Sequence, residues 1–120
     1  MLATISQTVV VLVALLHGYF LVLEMFLWDK PAGRRAFGLS KEQATATKVL
    51  AGNQGLYNGF IAAGLLWGVV RGAAGHEFEV FFLLCVVAAG VYGAATASRR
   101  ILYVQALPGL LGLLLVLLSH

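Results

Sequence analysis

The stretch Leu50–Val70, LAGNQGLYNGFIAAGLLWGVV, decides the fold. Crossing ~30 Å of hydrocarbon takes ~20 predominantly apolar residues in a helix, and this run has that length. Its first half nevertheless holds Asn53, Gln54, Tyr57 and Asn58. At ~100° per residue, with Asn53 at zero, Tyr57 falls near ~40°, Gln54 near ~100° and Asn58 near ~140°. The small residues Ala51, Gly55, Gly59 and Ala63 fill roughly 160–280°, a face that lets two helices approach closely. Val49, Leu56, Phe60 and Trp67 occupy the remaining wedge near ~300–340° and suit lipid. The pattern predicts a membrane helix with a packing face, a lipid face and a polar face turned into the protein.

Composition agrees with a membrane chain. Of 120 residues, 61% are hydrophobic and 11% charged, against ~45–50% and ~25% in soluble domains. The net charge of +3 reads as basic loops at an anionic lipid surface, not as nucleic-acid binding, because no basic cluster is interleaved with aromatics. The length predicts one domain, residues 1–120. Cys85, the sole cysteine, excludes an intrachain disulfide and reads as a packing residue. The N-terminal run lacks the basic start of a signal peptide and reads as a retained span.

Four apolar runs follow: about Leu2–Trp28, Thr45–Val70, Glu79–Ser98 and Ile101–Ser119. They are too long and too uniformly apolar for barrel strands, so the expected class is all-α, an integral membrane four-helix bundle. Lys30, Arg34, Arg35, Lys41 and Lys48 mark the first loop as basic, and Arg99 and Arg100 mark the third. The basic bias places both loops in the cytoplasm, giving an N-out, C-out, multi-pass protein. Asp29-Lys30-Pro31 ends the first helix. Ser40 and Gln43 form the signature of a capping box, so the second helix starts near Lys41.

This topology puts polar groups at one depth. Glu24 lies about one turn above the cytoplasmic interface and His17 near the midplane, ~10 Å apart along one face. Asn53 and Gln54, then Tyr92, Thr96, Arg100, Tyr103 and Gln105, fall in the same half. The expected ligand-binding set is Glu24, Asn53, Gln54, Tyr57, Asn58, Arg100, Tyr103 and Gln105. Glu24 also reads as an interfacial ion-pair partner of Lys48, Arg99 or Arg100, and the amides also read as interhelical ties. His17 reads first as a packing residue, and it sits too far from Glu24 to share a metal ion. His76 and His120 are expected to be solvated. Pro108 frees the carbonyl near Val104 and bends the last helix, where Gly109 and Gly112 allow close packing.

The run LEMFLWDKPAGRRAFGL (residues 23–39) followed by TKVLAGNQGLYNGFIAAGLLWG (residues 47–68) resembles the bacterial membrane proteins grouped as domain of unknown function 1304. A more distant similarity is to the membrane-associated proteins in eicosanoid and glutathione metabolism. That resemblance implies four helices, both termini outside the cytosol, a homotrimer, and glutathione or another thiol bound between subunits. It matches Asn53 to an Asn of the second helix, Tyr57 to a following aromatic, and Arg100 and Tyr103 to an Arg–Tyr pair in the last. Val49 and Leu56 stand where that superfamily has Arg and Glu.

The expected function is therefore binding of a small amphipathic or anionic molecule in the cytoplasmic half of the bundle. Any catalysis there would be thiol or lipid chemistry, with Tyr103 or Arg100 stabilising a developing anion. Two other readings stand beside it. One is a small transporter or channel subunit with His17 and Glu24 on a proton or solute path. The other is a structural membrane protein whose amides tie helices together.

Overall fold

The computed structural model describes residues 1–120 and contains helices but no strand. Five α-helices follow in order: α1 (Leu2–Met25), α2 (Pro31–Phe37), α3 (Lys41–Val70), α4 (His76–Thr96) and α5 (Leu107–Ser119). A 3-10 turn, Gly72–Gly75, precedes α4, and a π-helical turn, Leu102–Ala106, leads into α5. Three stretches are long and apolar enough to cross a membrane: Leu2–Met25, Gly72–Thr96 and Leu102–Ser119. α3 is 30 residues long, but Lys41, Glu42, Lys48 and the amides dilute its apolar character. Large apolar side chains stay exposed along the helices, among them Leu12, Leu15, Val49, Phe60, Leu111 and Leu118. Exposed apolar surface on that scale fits a membrane protein.

The chain divides into two compact units. The first comprises Met1–Ala14 and Ala63–His120, and the second Leu15–Ala62. In the first, the core is built from Val10 and Val13 of α1, Leu65 of α3, Leu83 and Val86 of α4, and Leu113 and Val116 of α5. Glycines set the closeness of α4 and α5. A Cβ at Gly90 would lie 2.8 Å from the Ala106 backbone nitrogen, and one at Gly109 would lie 2.6 Å from Val86 Cγ1. Gly72, at φ +62°, adopts the left-handed conformation that turns the chain from α3 toward α4.

The π-helical turn has a cause in the sequence. Pro108 has no N–H to give to the carbonyl of Val104, and its ring crowds that turn. The helix widens instead, and Leu107 N–H donates to the Leu102 carbonyl five residues back. The deviation expected from Pro108 thus takes the form of a π turn.

The second unit holds the C-terminal part of α1, α2 and the N-terminal part of α3. The expected capping box is present. Ser40 N–H donates to Gln43 Oε1 at 2.9 Å, and Gln43 N–H donates to Ser40 Oγ at 3.1 Å. The small face of α3 packs on α1, where a Cβ at Gly55 would lie 3.0 Å from Glu24 Cβ and one at Gly59 would lie 2.6 Å from Leu21 Cδ1. α2 differs from the sequence expectation of a plain loop. Pro31 ends no helix here. It opens one, at a first-turn position where a missing N–H costs nothing. Gly38, at φ +63°, closes α2 by donating its N–H to the Arg34 carbonyl.

Candidate functional site

Each unit buries one carboxylate against one primary amide. In the second unit, Glu24 is 4% exposed, and Asn58 Nδ2 donates to its Oε1 at 2.5 Å. In the first, Glu79 is 2% exposed, and Gln7 Nε2 donates to its Oε1 at 2.7 Å. The chain's one ion pair lies elsewhere, between Lys48 Nζ and Asp29 Oδ2 at 3.1 Å. Glu24 is therefore not the ion-pair partner of Lys48, Arg99 or Arg100. Taking a carboxylate out of water is costly, and in each unit the primary amide is the side-chain partner that offsets part of that cost.

Helix geometry explains why Asn58 alone among the α3 amides reaches Glu24. The small face of α3 carries Ala51, Gly55 and Gly59 against α1, and Asn58 is its angular neighbour. Asn53, Gln54 and Tyr57 lie further round and are exposed, Tyr57 at 60%. Asn53 Nδ2 donates to the Val49 carbonyl one turn back, at 3.1 Å. The Gln54 amide makes no hydrogen bond within the chain. The polar face expected to point inward thus divides, with Asn58 inside and the other three on the surface of α3.

The remaining expected residues lie in the first unit. Gln105 is half-buried, and its Nε2 donates to the Val86 carbonyl at 3.2 Å, across α4 and the π turn. That bond uses the carbonyl's second lone pair. Tyr103 is 65% exposed. Arg100 is exposed and has no ion pair, while its backbone N–H donates to Ser98 Oγ at 3.2 Å. His17 is fully buried and meets the Phe20 ring edge-on at 5.4 Å. His120 is exposed and His76 half-buried, and their rings stack with centroids 3.6 Å apart.

Sequence reasoning passed over Gln7 and Glu79. Two signals point to them. The stretch RGAAGHEFE, residues 71–79, carries two glutamates and one arginine, leaving one glutamate short of a cation. Gln7 also sits beside Ser6, which is fully buried, on the inward side of α1. Two open surface grooves occur. One, of about 520 Å³, is lined by Ala3, Thr4, Gln7, Thr8, Val11 and Leu12. The other, of about 370 Å³, runs along His76, Glu77, Val80, Phe81, Leu84 and Leu117.

Residues 11–117 match the family model described as protein of unknown function (DUF1304). The chain belongs to the DUF1304 family. It is also similar to a protein of Lactococcus lactis subsp. lactis (strain IL1403) named "Uncharacterized protein YpaA", with 32% identity over 96 residues, covering 78% of this chain and 81% of the relative. No solved structure matches the chain.

Proposed function

We propose that this DUF1304 protein binds a small amphipathic or anionic molecule at the polar arc of α3, in the cytoplasmic half of a four-helix bundle. The bundle is N-out and C-out in the bacterial inner membrane, with α3 as its fourth span. The observation that carries the reading is the exposure of Asn53, Gln54 and Tyr57 on one arc of that helix. Side-chain amides facing hydrocarbon are costly, so a polar partner belongs against them. The head of an amphipathic ligand, seated where neighbouring copies meet in a homotrimer, meets that requirement. Behind the arc, Glu24 and Asn58 fix the inner face. The distant resemblance to membrane proteins of glutathione metabolism makes glutathione or another thiol the first ligand to try.

The test is native mass spectrometry of the full chain released from a gentle detergent, with and without added glutathione. A trimer retaining a small molecule, lost in the N53L/Q54L variant at unchanged thermal stability, is the expected result. A monomer with nothing bound, or equal retention by the variant, removes the reading.

One observation favours a second reading. Near each end of α1 a buried carboxylate is held by an amide, Glu79 by Gln7 and Glu24 by Asn58. Buried ionisable groups in membrane helices commonly serve proton or ion movement. Proton uptake by liposomes carrying the protein, abolished by E24Q and by E79Q, would favour transport over ligand binding.

A further inference from the structure

Residues 30–41 carry Lys30, Arg34, Arg35 and Lys41 and no Asp or Glu. None of these cations has an ion pair in the chain. Asp29, the acid that precedes them, is taken by Lys48, and Glu42, the acid that follows, pairs with none of them. The segment is therefore a patch of positive charge whose counter-charge comes from outside the protein.

Its position is fixed by packing. Trp28 and Phe37 meet with ring centroids 4.8 Å apart, and Trp28 Nε1 donates to Thr47 Oγ1 at 3.0 Å. Gly33 is buried so close to Leu27 that a Cβ there would strike its carbonyl. These contacts clamp α2 to the end of α1, just past Met25, where the apolar stretch stops. With α1 in a bilayer, α2 then lies at headgroup depth, and Trp28 is the kind of residue enriched there. Arg34 adds a specific signal. It is half-buried, and its Nε is buried without an acceptor from the chain. A buried donor without an acceptor is costly, and an oxygen from outside the chain would satisfy it.

We propose that α2 binds the phosphodiester of an anionic phospholipid headgroup. Arg34 supplies the planar fork that fits two phosphate oxygens. Lys30, Arg35 and Lys41 supply flanking charge. A zwitterionic headgroup brings its own cation and gains less from such a patch, so the surface selects anionic lipid. Each cation near a charged leaflet contributes a factor of about fivefold in binding.

The test releases the full chain from nanodiscs holding equal parts phosphatidylglycerol and phosphatidylcholine and counts retained lipid by native mass spectrometry. Phosphatidylglycerol should be retained in preference. R34Q should lower its retention about fivefold, while R99Q, at another exposed arginine, leaves it unchanged. R34K, which keeps the charge and loses the fork, should fall between R34Q and wild type, and decides the matter if R34Q does not fold. Equal retention of both lipids, no change in R34Q and R34K, or equal losses in R34Q and R99Q would each overturn the site. Displacement of the lipid by millimolar inorganic phosphate would show a free-phosphate site and overturn the lipid assignment.

Discussion

Replacing Asn58 with leucine removes the one side-chain donor that reaches Glu24 Oε1. Glu24 is 4% exposed, so water does not readily substitute. Hydrogen bonds to charged groups contribute ~1.5–3 kcal/mol, but polar ties in membrane proteins average ~0.6 and reach only ~1.7. The burial of Glu24 places this pair at the upper end of the membrane range, so N58L should destabilise by about 1.5 kcal/mol. E24Q keeps a hydrogen-bond acceptor for Asn58 and removes the cost of a buried charge, so it should hold or raise stability. In an E24L background the N58L change should cost almost nothing, because the donor no longer has a partner. The assay is reversible unfolding in mixed micelles for wild type, both single leucine variants and the double variant. An interaction energy below ~0.5 kcal/mol would refute the argument that this contact organises the second unit.

Three further outcomes follow from the geometry. Alanine at Gly90 would bring its Cβ within 2.9 Å of Ala106 backbone atoms, so G90A should destabilise by ~1–3 kcal/mol. G18A, with nothing within 4 Å, should gain up to ~1 kcal/mol from helix propensity; thermal melting of the two variants gives the comparison. S40A removes the hydroxyl that accepts from Gln43 N–H and should cost ~1 kcal/mol, while S40D retains the cap; denaturant midpoints check this. The hydrogen bond from Lys48, with its positive charge, holds the Asp29 carboxyl below its ordinary value of 3.8. A depressed folded value means that the pair's stabilisation is complete above pH 3.8 and is lost as pH falls further. Acid titration of stability should show this step in wild type and not in D29N, with an amplitude that shrinks in added salt because the pair is exposed.

How much of this was legible in the chain depended on the range of the interaction involved. The helices themselves, the start at Lys41 and the Ser40–Gln43 cap rest on neighbours within one turn, and apolar periodicity exposes them. The close approach at Gly55 and Gly59 was also readable, since a row of small residues on one face has few other uses. Whether α3 spans a membrane is harder, because its amides and charged first turns leave it less apolar than the other long helices. α2 escaped because Pro31 signals a stop and a start equally well. Pairings between helices were the least accessible. Asn58 and Asn53 differ by less than half a turn of α3, yet one meets Glu24 and the other its own backbone. That outcome depends on the rotation of α3 against α1, which no single-helix pattern contains. Glu79 stood out only as the start of the third apolar run for the same reason, since its neighbour Gln7, 72 positions away, is what reveals its burial.

The π turn at Leu102–Ala106 amounts to one surplus residue wound into the last helix. It offsets the phase of everything after it by ~100° relative to an unbroken α-helix. Excising a single residue there, together with P108A to restore the missing N–H, would let the coil close normally. Arg99, Arg100 and Tyr103 would then swing about a quarter of the way round the axis relative to the glycine seam at Gly109 and Gly112. The insertion therefore acts as a dial. It sets the compass bearing of the basic end independently of the packed end.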